Sequence, residues 1–373
     1  MDDTDPIRDW LLLVRSPGFG PVAFGKIVSA TGATEASAVL RLPSARLRDL
    51  GVPVSVARAL RSPDENDVAA DIEWLRGAGN RWFIPITDPR YPVRLREIAD
   101  PPIGLFAEGD LDLLDRPKIA IVGSRNPTSG GRRNAQAFAR HLASGGLVVV
   151  SGLAEGIDAA AHQGALAGDG MTIAVMGTGP DRVYPAANRT LARRIADTGL
   201  LLTEFPTGTD ARAGHFPRRN RIIAGTSLGV LVVEAAERSG SLITARQANQ
   251  FGREVFAIPG SIHNPLSRGC HRLIRQGAKL VETATDIIEE LVSQIPSGVA
   301  PDIPAESTEP QLDAEYQRLL DAMGFDPVGV DELVAGSGLT AEEVSSMLLI
   351  LELKGYVTTS PGGRYNRLPD PPA

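Results

Sequence analysis

KIAIVGSRNPTSGG (118–131) opens with an unbroken apolar run, stops at Gly123 and turns polar at once. Such a run, without alternation, reads as a strand buried on both faces, the signature of a parallel sheet. The same shape recurs along the chain. LVVVSG (147–152), MTIAVMG (171–177), GLLLTEF (199–205), LGVLVVEA (228–235) and REVFAIPG (253–260) are five more such runs. Between them, Arg132–Ala143, Gly156–Ala167, 187–197, 219–227 and 241–251 read as helices. Alternation of strand and helix predicts an α/β, doubly wound, Rossmann-like parallel sheet with helices on both faces and right-handed crossovers.

Outward from this core, residues 1–63 read as a small helical module. LLLVRSPGFGPVAFGKIV resembles a helix-hairpin-helix (SAM-like) unit, although a plain helix pair with a glycine turn fits it equally. Residues 64–117 form a bridging segment packed on the core, with a helix near Asp71–Gly77 and a strand at 81–86. The core domain covers 118–293, a Pro-rich acidic linker 294–311, and a winged-helix-like domain 312–373. In the last, Thr340 and Glu343 have capping-box spacing and Pro-Gly-Gly marks a hairpin turn.

The chain has 45 acidic and 38 basic side chains, a net charge of −7. The total hides segregation. No acid falls between Arg116 and Ala154 or between Ala211 and Val233, whereas 280–317 holds nine acids and no base. No apolar run is long enough to span a bilayer. The acidic start, MDDTDPIRDW, is unlike a signal peptide, so a cytoplasmic location without membrane attachment is expected. A lone Cys270 and five scattered histidines predict no disulfide, no metal site and no cofactor.

In open parallel sheets, ligands bind beyond the carboxyl ends of the strands. Each strand here is followed by small or polar residues, which let backbone approach a ligand and leave helix N-termini free for phosphate. FPRRNRIIAG (216–225) crowds Arg218, Arg219 and Arg221 into four residues at that rim, and Arg125 joins them. A rim repeated this often suits the several phosphates of a nucleic-acid strand. Phe216 is either core or a platform for a stacked base. Arg219 or Arg221 could alternatively clamp a neighbouring carboxylate. A conventional NAD site does not fit, because GxGxxG is absent after the first strand and the second ends in Ser151-Gly152 rather than an acid. No HExxH, GxSxG or Walker pattern is present. Asp158 and His162, at i and i+4, read as structural, and Glu234 as a loop-ordering carboxylate.

These motifs together resemble the DNA-processing protein A (DprA/Smf) family. IVGSR (121–125), SGLAEGIDAAAH (151–162), GTGPDRVYPAAN (177–188), TEFPTG (203–208), FPRRNRIIAG, VVEAAERSGSLITA (232–245), GREVFAIPG (252–260) and SRGCHRLIRQGA (267–278) carry the resemblance in family order. It implies a single-stranded-DNA-binding protein, not an enzyme, that protects incoming DNA in natural transformation and loads the RecA recombinase. A homodimer through the Rossmann-like domain is implied, with single-strand-binding protein as a candidate partner. The implied DNA-binding residues are Gly123, Ser124, Arg125, Ser151, Gly152, Gly156, Phe216, Arg218, Arg219, Asn220, Arg221, Gly240, Ser241 and Thr244. Glu155, Thr226 and His271 depart from the family pattern. Two alternatives are a phosphoribohydrolase-like enzyme, whose PGGxGTxxE signature is missing, and a nucleotide sensor.

Overall fold

The computed structural model describes residues 6–61, 65–168, 171–295, 314–360 and 362–368. The chain divides into two compact units, Met1–Ile303 and Pro304–Ala373. The expected linker lies outside the described residues except for Gln294 and Ile295, as does Pro361 of the expected hairpin turn.

The first unit begins with six helices, α1 (Pro6–Arg15), α2 (Pro21–Thr31), α3 (Ala36–Arg41), α4 (Ser44–Asp49), α5 (Val54–Ala59) and α6 (Glu65–Arg76). Strand β1 (Arg81–Pro85), helix α7 (Val93–Arg96) and strand β2 (Gly104–Gly109) follow. The wound part is β3 (Lys118–Val122), α8 (Ser129–Ser144), β4 (Val148–Ser151), α9 (Ile157–Ala167), β5 (Thr172–Val175), α10 (Arg189–Thr198) and β6 (Leu200–Thr203). It continues through α11 (His215–Thr226), β7 (Gly229–Val232), α12 (Ser241–Gln250), β8 (Glu254–Ala257), α13 (Arg268–Arg275), β9 (Lys279–Leu280) and α14 (Ala284–Leu291).

One nine-stranded sheet results, in the order β1-β2-β6-β5-β4-β3-β7-β8-β9. Strands β3 to β9 pair in parallel. The pleat explains the unbroken apolar runs: Ile119 and Ile121 of β3 pack into the core on one face, Ala120 and Val122 into the core on the other. Helices α8, α9 and α14 cover the first face; α7, α11 and α12 cover the second.

The bridging segment differs from its reading. GLFAEG, embedded among prolines, is strand β2, and β1 and β2 form the antiparallel edge of the sheet. A core of its own joins that edge to the N-terminal helices: Trp10, Leu13 and Ile27 pack with Ile72, Trp74, Phe83 and Phe106. The helix expected from Arg219 starts four residues earlier, at His215. Pro217 is tolerated there because the first-turn N–H groups have no intrahelical acceptor.

The second unit holds α15 (Ala314–Met323), β10 (Val328–Gly329), α16 (Val330–Ser337), α17 (Ala341–Leu353), β11 (Val357–Ser360) and β12 (Arg364–Arg367). Thr340 caps α17 in a complete capping box with Glu343. Leu319, Leu333, Leu348 and Leu351 are the fully buried centre. Among the described residues, no single helix is long and apolar enough to cross a membrane.

Candidate nucleic-acid interface

Winding runs outward from β3 to β6 on one side, then returns to place β7, β8 and β9 on the other. The order therefore reverses between β3 and β7, and the crevice beyond their carboxyl ends is where such sheets receive ligands. Glu234, just past β7, builds its near wall. Its carbonyl accepts the Ser124 N–H at 2.7 Å. Its carboxylate accepts the Thr128 N–H at 2.9 Å and the Thr128 hydroxyl at 2.6 Å. Thr128 in turn caps α8 by accepting the Gly131 N–H. Glu234 thus orders the loop after β3, not the one after its own strand: its carbonyl fixes Ser124 at the rim and its carboxylate fixes Thr128.

The neighbouring loop locks against this one. Gly156 has φ +83°, and a side chain there would fall 2.3 Å from the Ser124 carbonyl. This glycine is required by backbone approach. Ser151 donates to the Ile121 carbonyl at 2.6 Å and is fully buried. The Gly152 N–H goes to Asp158 at 3.2 Å and its carbonyl accepts from Arg219 at 2.6 Å. These three residues therefore shape the crevice from behind.

A cleft of about 650 Å³ lies in front of them. Gly123, Ser124, Arg125, Phe216, Arg219, Asn220, Gly240, Ser241 and Thr244 line it. Arg219 forms its floor. It is buried, and it also donates to the Val175 carbonyl. Burial pulls its guanidinium down to about 10, with nearby Asp158 opposing and Arg125 adding to the shift. Burial likewise raises Asp158, against the pull of Arg219 and of backbone N–H groups.

Arg218 and Arg221 turn away from the cleft. Arg221 is buried and donates to Glu204 at 2.6 and 2.9 Å and to the Asp100 carboxylate at 3.0 Å. Burial would lower its affinity for the proton, but the Glu204 charge and hydrogen bond outweigh that and raise it. Arg218 reaches the same Glu204 at 2.7 Å and remains half-exposed. The three crowded arginines thus face two directions, Arg219 into the cleft and Arg218 with Arg221 onto Glu204, and the carboxylate clamp is real for Arg221.

The lining residues outside the expected set include an aromatic and two cations, Tyr184, Arg212 and Arg238. Signals for them existed. Arg212 opens the second acid-free basic run, Tyr184 lies within GTGPDRVYPAAN and Arg238 within VVEAAERSG. Tyr184 is half-exposed and its ring centre is 5.5 Å from that of Phe216. The Arg125 guanidinium lies 5.7 Å from the centre of the same Phe216 ring. Among the described residues, Arg125, Arg212 and Arg238 have no carboxylate within ion-pair distance. Helices α11 and α12 also begin at this cleft, each from a glycine without a side-chain cap. Their first N–H groups and positive dipole ends favour anions.

The remaining polar candidates have structural partners. His162 Nδ1 pairs with Thr172 at 2.8 Å rather than with Asp158, and burial, helped by Arg219, pushes its imidazole down to about 3. Cys270 is buried, its thiol pushed up to about 12 chiefly by that burial, while His271 pairs with the Gly260 carbonyl at 2.9 Å. No group of three or more potential metal ligands occurs among the described residues.

The site is thus a cationic, aromatic-lined cleft at the switch point of a Rossmann-like sheet, a combination of charge and rings suited to nucleic acid. Residues 82–292 match the family model for DNA recombination-mediator protein A, and residues 303–363 match the DprA winged helix domain. The chain is 41% identical to Protein Smf of Escherichia coli over 327 residues, 86% of either chain. It is 52% identical to DNA processing protein DprA of Streptococcus pneumoniae over 205 residues, 55% of this chain and 72% of that one. The X-ray structure of the Streptococcus pneumoniae protein superposes with a TM-score of 0.68 at 38% identity, covering 78% of this chain and 98% of that one. DNA processing protein A of Helicobacter pylori, described for its single-stranded DNA binding mode, gives a TM-score of 0.52 at 33% identity, over 55% of this chain and 94% of that one. The chain belongs to the DNA recombination-mediator protein A (DprA/Smf) family.

Proposed function

We propose that this protein binds single-stranded DNA in the switch-point cleft and passes it to the RecA recombinase during DNA processing and transformation. The carrying observation is the arrangement of Arg125, Phe216 and Tyr184, a cation that no carboxylate neutralises among the described residues beside rings that can accept a base. Phosphates would meet Arg125, Arg212, Arg238 and the N-termini of α11 and α12. An unpaired base would stack on Phe216 or Tyr184, a contact available to every base because each has a π-face. The function is binding and delivery, without a chemical step. The single-strand description of the Helicobacter pylori relative supports the strand reading. The mediator description of the family supports delivery to a recombinase.

A homodimer through residues 253–280 belongs to the same proposal. Ile262 and Leu280 are exposed apolar residues on that edge, at 74% and 45%. Sedimentation of the full chain should give twice the monomer mass, and Ile262→Glu should reduce it. The central experiment is fluorescence anisotropy with labelled oligo-dT, a matching duplex and labelled ATP at several salt concentrations. Tight, salt-dependent binding to oligo-dT with weaker duplex and negligible ATP is expected. Tight ATP binding without affinity for oligo-dT would overturn the proposal. Delivery is tested by RecA strand exchange on DNA coated with single-strand-binding protein, where addition of the chain should shorten the lag.

A further inference from the structure

A buried polar knot ties the N-terminal helices to the loops that build the cleft. Asp71, on α6, is fully buried. Its carboxylate accepts from Arg15 Nε at 2.7 Å and Nη2 at 2.8 Å. It also accepts from Thr207, through the backbone N–H at 2.9 Å and the hydroxyl at 2.8 Å. Arg15, on α1, donates in addition to the Thr207 carbonyl at 3.0 Å and to its hydroxyl oxygen at 2.8 Å. Every polar atom of Thr207 is therefore engaged by two residues from the N-terminal helices.

Thr207 lies on the loop from β6 to α11, which carries Arg212 and leads into Phe216. The contact continues from there. The Gly208 N–H donates to Asp181 at 2.9 Å, and the Gly179 N–H donates to the Thr209 carbonyl at 2.9 Å. Arg182 pairs with Asp181 at 2.9 Å and with Asp210. The loop from β5, which carries Tyr184, is thus zipped to the loop from β6, and Asp71 holds the end of the zip.

An ionised carboxylate is costly to bury, and the cost is offset only where its oxygens are well satisfied. An apolar contact would hold α1 against α6 without that cost. The carboxylate adds directional hold on one foreign loop. We infer that Asp71 and Arg15 are positioning residues of the cleft, so that the N-terminal helices set the placement of Tyr184, Arg212 and Phe216. This rests on the single-strand reading of the cleft.

The test uses the full chain and four variants: Asp71→Asn, Thr207→Val, Arg8→Ala and Arg125→Ala. Arg8 pairs with Glu65 at 2.8 Å and joins α1 to α6 without reaching the loop. Binding is read by oligo-dT anisotropy against salt, and base stacking by quenching of 2-aminopurine within the oligonucleotide. Asp71→Asn and Thr207→Val should each weaken binding about tenfold, on the scale of a charge-assisted hydrogen bond. Both should keep the parental salt slope, because no phosphate-facing charge is removed, and both should lose quenching. Arg8→Ala should match the parent. Thr207→Val keeps the Arg15–Asp71 pair, so it decides the matter if Asp71→Asn does not fold. Parental affinity and quenching in Thr207→Val, with Arg125→Ala weakened, would overturn the inference and leave the cleft reading intact. Parental binding by Arg125→Ala would overturn the cleft reading, and the inference with it.

Discussion

Two sets of arginines share the carboxyl-terminal rim of one sheet and have opposite fates. Arg221 is enclosed between Glu204 and Asp100, with its side chain 4% exposed. Arg125, Arg212 and Arg238 stand open on the cleft without a carboxylate partner among the described residues. Local sequence does not separate them, since Arg125, Arg212 and Arg221 all sit in acid-free basic stretches, and Arg238 stays on the cleft although Glu237 adjoins it. What separates them is whether a carboxylate from a distant segment arrives in space. A committed guanidinium contributes to stability; an uncommitted one remains available to a phosphate.

The largest expected effect tests the committed set. Arg221→Ala should lower stability by about 3–5 kcal/mol, because it leaves Glu204 buried with only the half-exposed Arg218 beside it. Thermal unfolding would show it as a drop of roughly ten degrees. A stable Arg221→Ala protein with impaired DNA binding would place Arg221 in the other set.

The scaffold behind the cleft carries a pH signature of its own. Burial holds His162 at about 3 in the folded chain, against an unfolded value of about 6.5. Below 6.5 the unfolded state takes up a proton that the folded state refuses. Stability from this residue is complete above pH 6.5 and is lost as pH falls toward 3. The loss should reach about 2 kcal/mol at pH 5, and denaturant melts of His162→Gln should show a flatter profile between pH 7 and 5.

Substitutions at the open set should act on binding instead. Phe216→Ala should cost about 1–3 kcal/mol of oligonucleotide affinity, with a parental melting temperature. Arg125→Ala should weaken every oligonucleotide about equally and flatten the slope of log K against log salt by about 0.7, one phosphate contact on a single strand. Unchanged slopes for Arg125→Ala and Arg212→Ala would erase the distinction between the two sets.

The smallest effect belongs to the second unit. Arg364 pairs with Glu332, and both side chains are half-exposed or more. Such pairs contribute about 0–1 kcal/mol. Arg367 is engaged by the Leu320 carbonyl and lies 5.0 Å from the Phe325 ring centre, so its cation too has local partners. Arg364→Ala should change duplex affinity by less than about twofold. A larger fall would assign the hairpin of the winged helix to DNA.

Strand and helix alternation, and hence the doubly wound sheet, is legible because burial on both faces writes unbroken apolar runs into the chain. Helix α17 is legible because its capping box is a local bond between Thr340 and Glu343. Strand β2 is not, because its prolines and glycines mark the ends of a sheet edge and mask the six residues between. Much of the rim was readable on the same terms, since Gly123, Ser124, Arg125 and Phe216 lie next to strand or helix ends. The sequence pattern points to ligand contacts at Gly156, Ser151 and Gly152, whereas in the fold backbone approach and internal hydrogen bonds engage them.

By itself, then, the sequence determined the class of fold, the rim of the sheet where arginines and helix N-termini gather, and the family. Those features follow from periodicity, turn chemistry and residue order, all of which act over short separations. The tertiary structure alone decided which arginines are free, which loop Glu234 orders, and that Asp71 reaches across 136 residues to hold Thr207. Each depends on a carboxylate meeting a donor from a remote segment, and electrostatic interaction at hydrogen-bond distance is set by that meeting in space rather than by neighbours along the chain.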